Sequence, residues 1–489
     1  MVFNRRDFLR TTASLAAVAA AEAPFIRQSQ AQTPAAPGTA AGAPSERLNI
    51  ACIGVRGQGR SHIAGYAGRH NCVVTHICDV DSSVPGSIAA ALNAATTAQG
   101  GIRPEYVQDL KRIMDNPNIH AVSIATPNHW HALAAIWAMQ AGKHVYVEKP
   151  VSHNVWEGSR IVAAARHYNK ICQTGTQIRS QPGTIQAMEF LAAGRLGRVE
   201  VARGLCYKRR PSIGTHQGEV PIPASVNYDI WCGPAPRRPL NRNRLHYDWH
   251  WQWDYGNGDL GNQGIHQMDV ARWGLGKNEM CRSAFSVGGR FGYTDDGETA
   301  NTQVCVFDYG DAPIIFEVRG LPTPDYRGAS VGNVFHCANG YLVCTSYNTA
   351  VAYDRDGGVI QRFSGVGDHF GNFISAVRSN RRQDLKADIQ EGHLSSALCH
   401  LANISYRLGR PVPFTPRPEI LQNHAAARET VTRMEEHLTN AGLTLANENI
   451  RVGALLEIDP QSETFRNNND ANRMLTREYR TGYEVPARF

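Results

Sequence analysis

The sequence predicts an α/β protein. Its N-terminal part reads as a doubly wound parallel sheet, and its C-terminal part as an α/β domain on a mostly antiparallel sheet. Three observations predict this. Apolar runs alternate with helical segments from residue 48 to about 170. The first run closes in a glycine-rich turn and the second in an aspartate. Beyond residue 170 the alternation gives way to strand-like runs at hairpin spacing.

The elements follow in order. Residues 1–31 place Arg5-Arg6 ahead of a mild, Ala-rich stretch, Thr11 to Ala21, with a small-x-small site at Ser29-Gln30-Ala31. This reads as a twin-arginine signal, so the expectation is export of the folded chain to the periplasm or the medium. Residues 32–46 are a Pro/Gly/Ala-rich linker, and 47–170 form the nucleotide half. There Leu48 to Ile53 is a buried strand ending in Gly54-Val55-Arg56-Gly57-Gln58-Gly59, and a helix is expected from Ser61. A second run, Val73 to Cys78, ends in Asp79. Glycines at such a turn let the backbone approach a pyrophosphate, and the helix N-terminus offers amide groups to it. A carboxylate at the second strand's tip accepts from ribose hydroxyls and repels a 2′-phosphate, which favours NAD. Arg56 stands where the dinucleotide pattern has its second glycine, and pointed at the ribose it would leave NADP open. Tyr106 to Met114 reads as a helix, Ala121 to Ala125 as a strand, His131 to Ala141 as a helix and Lys143 to Val147 as a strand.

These residues resemble the Gfo/Idh/MocA oxidoreductases. The resemblance rests on Gly54–Gly59, on Ala125-Thr126-Pro127-Asn128 with His131, on Gly142 to Val145 leading into Glu148-Lys149-Pro150, and on Gly264-Ile265-His266. It implies that Thr126, Pro127, Asn128, His131, Glu148 and Lys149 line the cofactor, and that Lys149 lies beside the nicotinamide and a substrate hydroxyl. It implies that His266 handles the proton. The family's D-x-x-x-H motif has Asn262 in place of its aspartate here, and an amide orients a hydroxyl without acting as a base. The same resemblance puts Gln177 and Arg179 at the edge of the cleft.

The second half, expected over 171–410, has strand-like runs at 198–207, 281–291, 302–308, 313–319, 340–345 and 351–353. By resemblance its open sheet face makes the contact of a homo-oligomer. Between the first two runs lies an insert, Asn227 to Gly276, dense in aromatics such as Trp249 and in polar groups such as Asp259. That mixture suits a carbohydrate, whose C–H faces stack on rings while its hydroxyls pair with side chains. Tyr207, Lys208 and Arg209 sit at a strand end that could face the same cleft. Residues 411–489 are expected to be a helical extension, with a helix beginning at Pro418.

Composition narrows the function classes. Of 489 residues, 42% are hydrophobic and 19% charged, so the chain is not of the disordered class. The net charge of +7 is too weak to argue for nucleic acid. No apolar run reaches the roughly 18 residues of a membrane span. Neither histidines nor cysteines show metal-ligand spacing. The 11 cysteines read as buried free thiols, with one Cys337–Cys344 disulfide left open. The expected activity is NAD(P)-dependent oxidation of a sugar CH–OH group with an internally recycled cofactor. Two alternatives stand beside it: a redox-neutral, NAD-dependent glycoside hydrolase of the same family, and a non-catalytic sugar-binding protein on this fold.

Overall fold

The computed structural model describes residues 46–414 and 425–489. The expected signal segment 1–31, nearly all of the expected linker and the expected helix start at Pro418 lie outside the described residues. From Leu48 to Phe489 the chain is one compact unit.

The first sheet has six strands: β1 (Leu48–Ile53), β2 (Cys72–Cys78), β3 (Glu105–Val107), β4 (Ala121–Ile124), β5 (His144–Val147) and β6 (Cys172–Thr174). Their order is β3-β2-β1-β4-β5-β6, and every pair is parallel. Helices cover both faces, so β4 is buried throughout and β1 along its last four residues. Register fixes the site. Ile53 stands opposite Cys78 and Ile124, Ile124 opposite Val147, and Val147 opposite Thr174. The strands therefore end level, and Gly54, Asp79, Thr126, Glu148 and Gly175 share one edge. The strand order reverses between β1 and β4, which is where such sheets open a ligand crevice.

Two expectations need correcting here. Tyr106 to Met114 is not a helix. Tyr106 and Val107 pair with Ile77 and Cys78 as β3, and only Lys111–Met114 is helical. The first sheet also does not stop at residue 170, because β6 pairs with β5 beyond it.

The second sheet contains β7 (Val199–Tyr207), β8 (Ser283–Gly289), β9 (Thr302–Asp308), β10 (Ile314–Arg319), β11 (Val331–Cys337), β12 (Gly340–Cys344), β13 (Thr349–Tyr353) and β14 (Val359–Ser364). It is antiparallel apart from the central β7–β10 pair. Helices Ile265–Gly274 and Ile389–Leu408 pack on one face around Met268, Phe316, Phe335 and Leu398.

The expected helical extension is in fact mixed. β15 (Arg410–Pro413), β16 (Asn449–Val452) and β17 (Leu456–Asp459) join the sheet beyond β8, and β18 (Thr464–Phe465) pairs with β17. Helix Ala425–Asn440 lies on the second face, with Val431, Met434 and Leu438 against Phe285, Val287 and Ile315. That face is thus partly covered by the chain itself. The tail then returns to the first domain, where Tyr483 meets Trp130 and Tyr479 donates to Glu157. All eleven cysteines are free and buried, so the Cys337–Cys344 disulfide does not form.

Candidate active site

The glycine turn has the shape its sequence implies. Gly54 has φ +79°, and a Cβ there would come within 2.7 Å of the Ala125 backbone. A Cβ at Gly59 would lie 2.1 Å from the Gly54 carbonyl oxygen, whereas Gly57 faces open space. Helix Gly59–Tyr66 starts at the turn. Asp79 is buried and accepts from the backbone amides of Val55 (3.0 Å) and Asp81 (3.2 Å), so it pins the turn to β2. Burial raises its pKa to about 6.

Arg56 reaches Asp81 instead, at 3.4 Å, and His246 meets the same carboxylate oxygen at 2.9 Å. Burial opposes charge on Asp81, but hydrogen bonds from Ser83 hold its pKa at about 2. Sequence reading did not single out Asp81 or its contact with His246.

His131 does not face outward. Its ring spans the carbonyls of Pro150 (2.6 Å) and Thr126 (2.7 Å), locking the β4 and β5 loops together. Beside it, Thr126 Oγ1 and Asn128 Nδ2 are buried without a partner among the described residues, as is Thr176 Oγ1 after β6. Orphaned polar atoms along a strand-end crevice, next to an open glycine turn, fit a dinucleotide that would satisfy them.

Lys149 follows β5 through a cis bond to Pro150. Its Nζ donates to the Asn262 carbonyl oxygen at 2.5 Å. Asn262 sits in a π-helical turn, Leu260–Gly264, that leads straight into helix Ile265–Gly274 with His266 in its first turn. Such widened turns recur at functional sites. Lysine and histidine are therefore brought to one place from two domains. Burial lowers the pKa of Lys149, opposed by Glu148. Burial, reinforced by the Lys149 charge, lowers the pKa of His266 to about 3, so its imidazole is neutral. Its Nδ1 has no partner among the described residues, and Tyr347 packs 4.9 Å from its ring.

Glu148 holds this group from behind. It meets His62 Nε2 at 3.1 Å and accepts from Gln177 Nε2 at 2.9 Å. Burial would raise its pKa, but His62 and the Lys149 charge keep it at about 2. His62, which sequence reading missed, also meets Ser123 at 2.8 Å.

The remaining candidates divide. Asp259 is buried in an ion pair with Arg210 (2.7 Å), whose guanidinium also donates to Tyr247 Oη (3.2 Å) and lies 5.6 Å from the Trp251 ring. Arg179 is committed to Asp269 (2.8 Å) and Glu391 (2.9 Å), so its guanidinium braces the second domain instead of offering itself to a ligand. Trp249 is a core residue that stacks on His250 and packs in the cluster of Trp231 and Tyr255. Tyr247, 40% exposed, and Trp251 are the aromatics that flank the Arg210–Asp259 pair. Tyr207 turns away, donating to Glu317 at 2.7 Å, and Arg209 is exposed.

A parallel nucleotide-binding sheet, a glycine turn and a lysine–histidine pair contributed by two domains define a two-domain, dinucleotide-dependent class of protein. Residues 48–176 match the family model described as the oxidoreductase family's NAD-binding Rossmann fold, and 194–437 match its C-terminal alpha/beta domain. The chain belongs to the Gfo/Idh/MocA oxidoreductase family, and its first domain is an NAD-binding fold.

Among relatives, it is 27% identical over 245 residues to the levoglucosan dehydrogenase of Pseudarthrobacter phenanthrenivorans, covering 49% of this chain and 54% of that one. It is 28% identical over 213 residues to a glycosyl hydrolase family 109 protein of Shewanella pealeana, covering 41% and 45%. The chain thus spans about half the length of the curated relatives it matches. The fold is shared with the WlbA dehydrogenase of Bordetella pertussis, solved with NADH and UDP-GlcNAcA, at a TM-score of 0.53 and 21% identity over 74% of this chain and 97% of that one.

Proposed function

We propose that this chain oxidises or reduces a CH–OH group of a sugar or sugar-derived substrate, using NAD. The observation that carries the reading is the 2.5 Å bond from Lys149 Nζ to the Asn262 carbonyl, which sets an ammonium beside the turn leading into His266. Bound NAD supplies the hydride acceptor or donor. In the oxidation direction, Lys149 donates a hydrogen bond to the substrate oxygen and stabilises the alkoxide as negative charge develops. The neutral His266 ring accepts the hydroxyl proton at Nδ1, which has no competing partner among the described residues. Glu148, ionised and held by His62 and Gln177, offsets the positive charge that results. Asn262 contributes its backbone carbonyl, which aims the lysine.

A retained cofactor is part of the same proposal. The segment leading into the insert straps the β2 end of the nucleotide crevice. Ser82 N donates to the Ser225 carbonyl (2.9 Å), Asn227 N donates to the Val80 carbonyl (2.9 Å), and His246 meets Asp81. Residues from the second domain thus close over the place where a ribose would lie. A cofactor held this way is recycled within the site, which suits a chain exported folded by its Arg5-Arg6 signal to the periplasm or the medium. The second reading, redox-neutral glycoside hydrolysis, draws on the same strap and on the similarity to the family 109 glycosyl hydrolase. A homo-oligomer is proposed with either.

The test uses the full chain as purified. Mass spectrometry reads whether NAD accompanies it, and a sugar panel is followed by near-ultraviolet absorbance of reduced nicotinamide. Reduction by a sugar supports the dehydrogenase. Aglycone release without net reduction supports the hydrolase. Sugar binding with neither signal refutes both in favour of a binding protein.

A further inference from the structure

Resting on the sugar reading above, we propose that Tyr347 is a specificity-determining residue. Its hydroxyl donates to the substrate oxygen on the carbon next to the one that reacts, so the site takes a vicinal diol. Three segments converge on the short stretch from Asn262 to His266. Lys149 Nζ bonds the Asn262 carbonyl, and Tyr347, from the loop between β12 and β13, meets both Gln263 and His266. Its Oη accepts from Gln263 Nε2 at 3.1 Å, and its ring lies 4.9 Å from the His266 ring, tilted by 50°. The tyrosine thus touches the same turn as the lysine and packs on the histidine itself.

Both partners are held in place. The Tyr347 carbonyl accepts from Thr184 Oγ1 at 2.8 Å, and a Cβ on Gly183 would come within 2.2 Å of the next carbonyl oxygen, that of Asn348. The loop is therefore seated against the first turn of helix Pro182–Ala192. Gln263 Nε2 also donates to Gln267 Oε1 at 3.2 Å. An amide nitrogen can only donate, so Tyr347 Oη is the acceptor in its bond to Gln263 and keeps its own hydrogen. Among the described residues nothing accepts that hydrogen. His266 Nδ1, the acceptor beside it, likewise has no partner among them. One donor and one acceptor in contact, both unused, fit a ligand that presents the opposite pair. A vicinal diol does so: the reacting hydroxyl gives its proton to His266 Nδ1 while the neighbouring oxygen accepts from Tyr347. In that step the carbinol hydride goes to NAD and the hydroxyl proton to His266, and Tyr347 neither gains nor loses a proton.

The experiment is calorimetric titration of the NAD-loaded full chain with glucose, galactose and levoglucosan, each beside its monodeoxy analogues, for the parent and Tyr347→Phe. The analogue that binds but no longer reduces the nicotinamide marks the reacting position. We expect an analogue lacking the oxygen next to that position to bind the parent chain about ten- to a hundredfold more weakly than the intact sugar. Tyr347→Phe keeps the ring against His266 and should abolish this discrimination, raising KM for the intact sugar and leaving kcat within a few fold. Discrimination that survives in Tyr347→Phe would overturn the role of the tyrosine, because a merely structural change weakens every sugar alike. Equal binding of the intact sugar and every analogue that still reduces the nicotinamide would overturn the vicinal oxygen and leave the sugar reading standing. Absence of binding by any of these sugars and by their analogues would overturn the sugar reading together with this inference.

Discussion

Replacing Lys149 with methionine separates its chemistry from its packing. The substitution keeps the length and apolar stem but removes the ammonium. It deletes the 2.5 Å bond to the Asn262 carbonyl, a charge-assisted contact of about 1.5–3 kcal/mol. It also removes the cost of burying a cation, which burial already disfavours here. The two effects oppose each other, so folding stability should change by no more than about 1 kcal/mol. The rate has no such compensation. Loss of one preorganised donor to a developing oxyanion costs about 3–4 kcal/mol, or roughly 10²–10³ in turnover. The assay is single-turnover reduction of the bound nicotinamide by a saturating sugar, with thermal unfolding and cofactor content measured on the same preparation. A variant that keeps its cofactor and melting temperature and turns over within about threefold of the parent would refute the role given to Lys149.

Three further outcomes follow from the geometry. Asp79 has its pKa raised to about 6 in the folded chain, against 3.8 unfolded, so the cofactor-free fold should lose about 2 kcal/mol of stability as pH rises from 4 to 6, approaching about 3 kcal/mol in all above pH 7. Below 4 that cost is absent, and Asp79→Asn should flatten the slope in denaturant titrations. Arg210→Met leaves Asp259 buried and unpaired and should cost about 3–5 kcal/mol by chemical denaturation; adding Asp259→Leu should recover much of it. His246→Ala removes a 2.9 Å contact from the strap and should speed NAD release by about tenfold or more in a displacement assay, leaving the melting temperature of the cofactor-free chain within a few degrees.

How far the sequence carries this structure depends on the kind of element. β1, β4 and β5 are legible because parallel strands between helices read as unbroken apolar runs. β11 escapes notice because Gly332 and Asn333 interrupt its pattern, yet the glycine is needed: a Cβ there would sit 2.1 Å from the Cys344 carbonyl oxygen. β14 escapes because it is an edge strand, exposed along most of its length. Tyr106 to Met114 misleads because its apolar residues fit a helical period, while pairing with β2 decides the outcome. At the site, Lys149 and His266 are legible through the resemblance their motifs carry. Their supports are not. His62 meets Glu148 across 86 residues and Arg210 meets Asp259 across 49, and no local spacing announces such pairs. The aromatic insert misleads in a different way. Trp249 is there to fill a core, and the ring left in the open beside Arg210 is Tyr247.

The eleven sequestered thiols have a practical consequence. Burial pushes Cys72, Cys305, Cys337 and Cys344 up to about 12, so near neutrality they exist as inert SH groups behind packed side chains. An alkylating reagent can reach them only when the surrounding layers part. The chain therefore carries its own set of opening reporters, spread from β1 to helix Ile389–Leu408, and the order in which they become labelled would rank the layers by how readily each comes undone.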